Sequence, residues 1–440
     1  MKLFRFFIIL LLLNSCSFDN KSGIWKNENN ISDEENQIFK EFKSISYAKK
    51  KFNKIINLDK NFKFNKSKTI LNLSWQDIFY SNDNNFVNFN YDNQNKLIFK
   101  SKRLTKNITS KHILFDENNL ISSDKKGNII IFSINENKEL VKFNFYKKKF
   151  KKIQKKLNYI IENNIIYISD NLGFVYSFDY KKNKILWAKN YKIPFRSNIK
   201  ISNNKIILAN QNNTLHFLNK KNGEILKTVP TEESLFKKYF RNNLAFYKDK
   251  VVFLNTYGSL YVLNIKSMKI DWFINLNQSL DINPSNIFTS NQLIIYENKI
   301  FVPTNDNFYI VDILTGSTVI KKNFTSLFKP IILNNILYTI DNSLLIATEL
   351  KTGETIFSYN INQKISDYLD VQRKKVNFRG FMPVENKIFI FLKNSFVLKF
   401  NANGNLDQIS KLPEKIHSNL IIIDGSIIYL NRKNKVAIVN

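Results

Sequence analysis

Residue types that carry chemistry are scarce in this 440-residue sequence, and their spacing matches no catalytic pattern. The three histidines, His112, His216 and His417, are far apart in the chain and lack the short spacings of metal ligands. They are not accompanied by paired carboxylates at a defined spacing or by a glycine-rich phosphate loop. The sequence therefore predicts no catalytic residues, no metal site and no cofactor.

The single cysteine, Cys16, does indicate a covalent modification. It follows a basic start, an apolar run over residues 6–13 and the small polar pair Asn14-Ser15. This order is typical of a secretory signal peptide, and the run is too short for a membrane-spanning helix. Leu13-Asn14-Ser15-Cys16 resembles the lipobox of bacterial lipoproteins, which implies removal of residues 1–15 and acylation of Cys16. The alternative is an ordinary signal peptide with an accidental cysteine, although a lone thiol cannot form an internal disulfide.

The net charge of +31 raises the question of an anionic partner. The lysines are spread over predicted turns rather than clustered on one stripe, and Lys, Asn, Ile and Phe are raised together throughout the chain. We interpret the charge as compositional and expect no nucleic-acid binding. Weak attraction to anionic lipid headgroups stays open as an alternative.

Self-similar segments organise the rest of the chain. Residues 163–187 and 248–272 match position for position as a strand, a tight turn, a second strand, another turn and a third strand ending in tryptophan. The same frame recurs at residues 119–141, 203–227, 298–320, 335–357 and 386–409, and in shortened form at 425–440. The residue at the first turn always belongs to a type that suits tight hairpins: Gly127, Gly173, Asn213, Gly258, Asp306, Ser343, Ser395 and Asn434.

The period of this repeat identifies the architecture. Successive turn residues are 37 to 52 positions apart, about 44 on average, which is typical of propeller blades with four strands each. The strands are almost continuously apolar, as expected where neighbouring sheets cover both faces. A helical solenoid would need a 3.6-residue periodicity, which is absent. The sequence predicts an all-β fold, an eight-bladed β-propeller over residues 66–440.

The ends and the longer spacings lead to further predictions. The last repeat shows only two strands, so we expect the missing outer strands to come from the N-terminal side, at Lys96–Lys100. Two insertions predict short helices, one starting at 231–234 and one containing 365–371. Residues 16–65 are polar and predict a tether with one short helix from Ser32, whose apolar face docks on the propeller or on a partner.

The blade consensus resembles the pyrroloquinoline-quinone-type propeller repeat over residues 66–440. The resemblance is carried by turn glycines, by an Asp or Asn at strand ends and by tryptophans, as in Asp312–Gly316, Glu349–Glu354, Gly223-Glu224, Trp187 and Trp272. Two families share this repeat: the quinoprotein dehydrogenases and the BamB-type propeller lipoproteins of the outer-membrane β-barrel assembly machinery. The lipobox, the single propeller, the eight blades and the chain length are similar to the second family.

Two other functions are compatible with a propeller of this kind. A quinone-dependent dehydrogenase needs a Ca²⁺ site of oxygen ligands and an Asp base, and many members carry adjacent cysteines that this chain lacks. Those enzymes are also richer in Trp and Gly than the 4 and 10 found here. A glycan-binding propeller would use exposed aromatic residues, but most of the aromatic positions that we can place lie in strands.

The resemblance implies one partner-binding segment. In the lipoprotein family, a loop of the form apolar-x-apolar-Arg contacts the periplasmic domains of the barrel-assembly protein, and the matching residues here are Ile193, Phe195 and Arg196. The alternative is an inter-blade connection whose apolar residues pack inward. The family's second contact loop is acidic, whereas Phe240–Asn243 here carries no acidic residue. That second contact must therefore differ or be absent.

The resemblance also implies a function and a location. It implies a non-enzymatic scaffold that helps to assemble outer-membrane β-barrel proteins, with unfolded outer-membrane proteins as further candidate ligands. The chain would be lipid-anchored at the outer membrane and would face the periplasm. Ser17 replaces the Asp that retains lipoproteins at the inner membrane in some bacteria.

Overall fold

The computed structural model describes residues 52–233, 243–277, 288–372 and 375–440, together with two short strands near the N-terminus. The chain divides into two units, Met1–Lys51 and Phe52–Asn440. In the first unit, β1 (Cys16–Phe18) pairs antiparallel with β2 (Trp25–Asn27). The predicted signal peptide and the tether helix lie outside the described residues. No helix of the described part of the chain is long and apolar enough to cross a membrane.

The second unit is a ring of eight four-stranded antiparallel sheets, which confirms the predicted eight-bladed propeller. We number the blades 1 to 8 along the chain, each from its innermost to its outermost strand. Strand β3 (Leu97–Arg103) precedes the first blade. Blades 1 to 4 are β4 (Leu114–Asp116), β5 (Asn119–Ser123), β6 (Asn128–Ser133), β7 (Lys138–Asn144); β8 (Leu157–Glu162), β9 (Ile165–Asp170), β10 (Phe174–Asp179), β11 (Lys184–Asn190); β12 (Lys200–Ser202), β13 (Lys205–Ala209), β14 (Leu215–Asn219), β15 (Ile225–Val229); and β16 (Asn243–Tyr247), β17 (Lys250–Leu254), β18 (Ser259–Asn264), β19 (Ile270–Asn275).

The second half of the ring continues the same order. Its strands are β20 (Ile294–Tyr296), β21 (Lys299–Pro303), β22 (Phe308–Asp312), β23 (Thr318–Lys322); β24 (Ile331–Leu333), β25 (Ile336–Asp341), β26 (Leu344–Glu349), β27 (Thr355–Asn360); β28 (Phe378–Val384), β29 (Lys387–Leu392), β30 (Phe396–Asn401), β31 (Leu406–Lys411); and β32 (Ile421–Ile423), β33 (Ser426–Leu430), β34 (Lys435–Val439). Between blades 6 and 7 lies helix α1 (Ile361–Leu369), which includes residues 365–369 of the predicted segment 365–371 and begins four residues earlier. The helix predicted from 231–234 falls mostly outside the described residues.

Strand position within a blade explains the hydrophobic pattern. The second and third strands are buried along nearly their whole length, as in β9 and β10, because neighbouring blades cover both faces. The outermost strands alternate between exposed and partly buried residues, as in β11 and β19. The loss of alternation in the inner strands is therefore a direct consequence of blade stacking.

Polar side chains fix the turns between the second and third strands. In five blades, an Asp or Asn three residues before the turn residue accepts backbone N–H groups across the turn: Asp124, Asp170, Asn210, Asn255 and Asn431. The backbone then reaches positive φ, at Gly127 with φ +87° and at Asn213 with φ +61°. In blade 6 the positive-φ residue is Asn342, one position before the predicted Ser343. Each of these five turns thus carries its own Asx hydrogen bond.

Tryptophan contacts tie neighbouring blades together. Trp187 in β11 donates from Nε1 to the Lys220 carbonyl at 3.0 Å and lies against Gly223, where a Cβ would come within 2.6 Å of the ring. Trp272 in β19 repeats this arrangement in the seam between blades 4 and 5. Glycine is required at Gly223 both by this close approach and by its φ of +71°.

Blade 8 closes the ring with strands from both ends of the described propeller. Strand β34 pairs with β33 on one side and with β3 on the other, as in Leu97↔Val439. The prediction that the N-terminal side completes this blade is confirmed, but the division of strands differs. Three strands come from the C-terminal repeat and one from Leu97–Arg103, because the short strand Ile421–Ile423 supplies the innermost position.

Residues 70–92, which we call the plug, fill the centre of the ring. The plug forms isolated bridges with innermost strands, pairing Trp75 with Phe115 of β4, Asp77 with Ile160 of β8 and Phe89 with Val384 of β28. Its carbonyls also accept N–H groups from the innermost strands of blades 2, 4 and 5, and from Asp424 directly after the innermost strand of blade 8. Since the innermost strands surround the axis of a propeller, the plug crosses the central channel.

Candidate functional site

The predicted partner-binding loop connects β11 of blade 2 to β12 of blade 3. Its backbone is held from both sides, because Phe195 donates its N–H to the Asp170 carbonyl at 3.0 Å and Arg196 donates to the Ala209 carbonyl at 3.1 Å. Asp170 ends β9 and Ala209 ends β13, so the loop is attached to both blades that it joins. A loop fixed in this way loses little conformational entropy on binding a partner.

The side chain of Phe195 is buried and only 2 % exposed. Its ring meets Tyr191 and His216 edge-on, with centroids 5.6 and 5.8 Å apart. This differs from the expectation of an exposed contact residue and agrees with the alternative of inward packing. The physical reason is that the loop crosses a seam between two blades, where an apolar side chain is removed from water. Ile193 and Arg196 are partly exposed.

The three histidines contact polar groups of other residues in the propeller. His216 is 8 % exposed, and its Nε2 lies 3.2 Å from the Asn210 amide nitrogen. Burial lowers the pKa of His216 to about 4. His417 donates from Nε2 to the Thr109 carbonyl at 3.2 Å, and His112 is also close to this junction of blades 8 and 1. Within the described ranges, no group of three or more His, Cys, Asp or Glu residues could hold a metal ion.

A buried ion pair fastens the plug to blade 3. Lys200, the first residue of β12, is 1 % exposed and donates from Nζ to Asp77 Oδ2 at 2.7 Å, to the Ser81 carbonyl at 2.6 Å and to Asn84 Oδ1 at 2.7 Å. Burial lowers the pKa of Lys200, and the charge of Asp77 opposes that shift. All three protons of the ammonium group therefore have an acceptor, which the burial of a charge requires.

Sequence reasoning missed this pair, although one signal for it exists. Counting back from the turn residue, the positions equivalent to Lys200 are apolar in other blades, such as Leu114, Ile160 and Ile421. A lysine in a buried strand position calls for a carboxylate partner. The repeat alone does not reveal that the partner, Asp77, lies in a segment outside it.

The comparisons with known proteins agree with this architecture. A family model described as outer membrane protein assembly factor BamB matches residues 125–359, more than half of the chain. The crystal structure of BamB from Moraxella catarrhalis is similar with a TM-score of 0.62 and 12% identity, covering 78% of this chain and 99% of that chain. No curated protein matches the chain by sequence.

Two further solved structures share the fold. The computationally designed protein Ika8 has a TM-score of 0.60 and 13% identity, covering 78% of this chain and 99% of its own. The quinohemoprotein alcohol dehydrogenase from Comamonas testosteroni has a TM-score of 0.60 and 9% identity, covering 83% of this chain and 80% of its own. At such identities the likeness is one of fold alone, whereas the sequence match over residues 125–359 shows that the chain belongs to the family of outer membrane protein assembly factor BamB.

Proposed function

We propose that this chain is a non-enzymatic scaffold subunit of the machinery that assembles outer-membrane β-barrel proteins, and that it binds the periplasmic domains of the barrel-assembly protein. The observation that carries the proposal is the family match over residues 125–359. An eight-bladed ring suits a scaffold because its blades hold many loops in fixed positions on rigid sheets.

The connection between blades 2 and 3 is the proposed contact surface. Ile193 and Arg196 are partly exposed, and backbone hydrogen bonds to Asp170 and Ala209 hold the loop in place. Arginine and large apolar residues are typical of energetically important interface positions. Phe195 supports this surface from below, since its ring packs between the two blades.

Unfolded outer-membrane proteins are proposed as transient ligands of the blade edges. Apart from β27, whose Ser358 also bridges to Ile56, the described outermost strands form a ladder on one side only, so their second edges can accept a further strand. Exposed apolar side chains lie on several of these strands, including Ile225 and Leu226 on β15. Extended segments can add to such an edge by β-augmentation.

The chain is proposed to be anchored at the outer membrane through acylated Cys16 and to face the periplasm. Replacement of the only cysteine, in Cys16→Ala, removes the attachment site, so we expect no incorporation of labelled fatty acid in growing cells. Label retained in the variant would contradict the anchor.

Binding to the barrel-assembly protein is tested with purified periplasmic domains and the Arg196→Glu variant. We expect Arg196→Glu to weaken binding at least about tenfold, since charge reversal removes charge-assisted bonds. The thermal midpoint should stay the same. Arg103→Glu on β3 is the matched control and should bind normally.

Phe195→Ala gives a second readout, because a buried supporting residue should lower the thermal midpoint as well as the affinity. Normal affinity of Arg196→Glu would contradict the proposed contact surface. Dye reduction with an alcohol or sugar after addition of pyrroloquinoline quinone and Ca²⁺ would instead favour the dehydrogenase alternative.

A further inference from the structure

The central channel contains a cavity of about 180 Å³. The plug lines it with Trp75, Phe79 and Phe86, and blades 7 and 8 line it with Phe381 of β28 and Leu420 directly before β32, among others. These side chains give the cavity a largely aromatic wall. Because a cavity of about 150 Å³ suffices for a single benzene ring, this one accommodates a molecule of about one ring with a small polar group.

A β-bulge brings Arg379 to this cavity. The register of β28 against β29 shifts between Phe378 and Gly380, which leaves Arg379 without a paired residue. Of the eight innermost pairings in the described ring, this is the only one with a register shift. Bulges redirect a side chain that would otherwise follow the strand alternation. The guanidinium lines the cavity and donates from Nη2 to the Ser418 carbonyl at 2.6 Å.

Arg379 retains bonding capacity at this position. Its Nε atom is buried and has no hydrogen-bond partner among the described residues. Burial and the nearby charge of Arg432 lower the pKa of Arg379 to about 10. An unsatisfied buried donor costs free energy that an acceptor would recover.

The neighbouring Gly380 leaves the cavity open. A Cβ at this position would meet no atom within 4 Å, and the residue does not adopt a positive φ. Backbone strain therefore does not require glycine here. Any larger side chain at position 380 would extend into space that the cavity now occupies.

Lys329 supplies a second basic group at the wall. It is 6 % exposed, donates from Nζ to the Phe79 carbonyl at 2.9 Å and lies 3.2 Å from the centre of the Phe86 ring. No carboxylate within the described residues forms an ion pair with it. Burial and the charge of Lys200 lower the pKa of Lys329, while Asp83 and Asp77 oppose that shift. Burial therefore favours the neutral amine, and an anion bound beside it would favour the ammonium form.

A basic depression adjoins the cavity. A depression of about 530 Å³ shares Phe328, Arg379 and Asn419 with the cavity and adds the exposed lysines Lys111, Lys375 and Lys393. Neither the depression nor the cavity has an Asp or Glu among the described residues that line it. A concave surface lined by charges of one sign concentrates ions of the opposite sign.

We propose that the central cavity binds a small organic monoanion, whose carboxylate is held by Arg379 and whose body of about one ring packs against Trp75, Phe79 and Phe381. The apolar wall selects the body, and the basic lining by Arg379 and Lys329 selects the charge. The site lies at the channel axis and does not involve Ile193 or Arg196. It therefore stands independently of the proposed scaffold function.

Benzoate is the probe for this site, measured by titration calorimetry on the purified propeller chain at low ionic strength. We expect one saturable site with a dissociation constant of about 1 mM or lower, within reach of a ligand of this size. Benzyl alcohol, which has the same ring without the charge, and sulfate, which has charge without a ring, should both bind at least about tenfold more weakly.

Two variants remove the site by different means. Gly380→Leu fills the cavity from a position with open space, and Arg379→Gln removes a cation, so each should weaken benzoate binding at least about tenfold. Arg103→Gln is the matched control and should bind as the unaltered chain does. Thermal midpoints show which variants are folded. If Arg379→Gln is not folded, Gly380→Leu alone tests the proposed site. Absence of saturable benzoate binding, or unchanged affinity in folded Gly380→Leu, would overturn the proposal, and so would sulfate binding as tightly as benzoate.

Discussion

The ring of blades and the plug inside it are stabilised by different sets of contacts. Blades consist of hairpins between consecutive strands, and buried apolar residues such as Ile166, Ile206 and Val252 fill the space between them. The plug does not repeat, and its contacts join residues far apart in sequence, such as Asn72 with Ile422 and Lys200 with Asp77. The ring is thus stabilised by many similar contacts, whereas the plug combines buried aromatic residues such as Trp75 and Phe89 with a few polar contacts that occur only once.

Deletion of residues 435–440 should have the largest effect, because it acts on the one blade that does not consist of consecutive strands. It removes β34, which lies between β33 and β3, and so separates the two ends of the ring. We expect the free energy of unfolding to fall by more than about 4 kcal/mol. The measurement is a urea titration followed by circular dichroism.

Deletion of Asn440 alone is the control, since it removes mainly the backbone pairing with Lys96. It should cost about 1 kcal/mol. An unchanged urea midpoint after the longer deletion would show that the ring does not depend on the shared blade.

Removal of one partner of the buried ion pair tests how much a single polar contact of the plug contributes to the free energy of unfolding. Asp77→Ala leaves the ammonium group of Lys200 buried without its carboxylate, and we expect a loss of about 3–5 kcal/mol. The double variant Asp77→Leu with Lys200→Met replaces the pair by apolar groups and should recover most of that loss. Urea titrations of the single and double variants measure the coupling. Additive losses would mean that the two residues act separately.

The difference between ring and plug also explains what the sequence could predict. The ring could be predicted from the sequence because the turn residues from Gly127 to Asn434 recur at similar intervals. Closure at blade 8 followed from the incomplete last repeat, although the innermost strand at Ile421–Ile423 was too short to stand out. Features that occur once, namely the plug and the bulge at Arg379, have no second copy against which a pattern can be seen.

Phe195 shows why the site was harder to predict than the fold. An apolar residue in a loop between strands has the same sequence pattern whether it meets a partner or the seam beneath it. Only the position of Tyr191 and His216 under the loop decides between the two. The loop was correctly placed between two blades, but the direction of its side chains depends on tertiary packing.

Within the ring, Trp187→Ala tests whether the free energy of unfolding is distributed over the contacts between neighbouring blades. The variant removes the indole from Gly223 and its hydrogen bond to the Lys220 carbonyl. We expect a loss of about 3 kcal/mol, at the lower end for a large aromatic residue because Trp187 is only partly buried. Trp272→Ala in the equivalent seam is the matched comparison and should cost a similar amount. Loss of all tertiary structure in either variant would contradict a free energy of unfolding that is distributed over many contacts. Thermal unfolding of both proteins provides the measurement.

The smallest expected effect concerns His216, a titratable group that the ring buries between blades. Burial lowers its pKa from 6.5 to about 4. Between these two values the unfolded chain takes up a proton that the folded chain does not, so the free energy of unfolding falls as the pH falls from about 6.5 towards 4. From pH 7 to pH 4.5 this residue should account for about 2 kcal/mol of the loss.

His216→Gln keeps a polar group beside Asn210 without the titration, so its loss over the same pH range should be smaller by that amount. His417→Gln is the comparison: its ring is more exposed, so the substitution should change the pH dependence less. Equal losses in the unaltered chain and in His216→Gln, measured by urea titration at both pH values, would show that His216 is protonated in the folded ring.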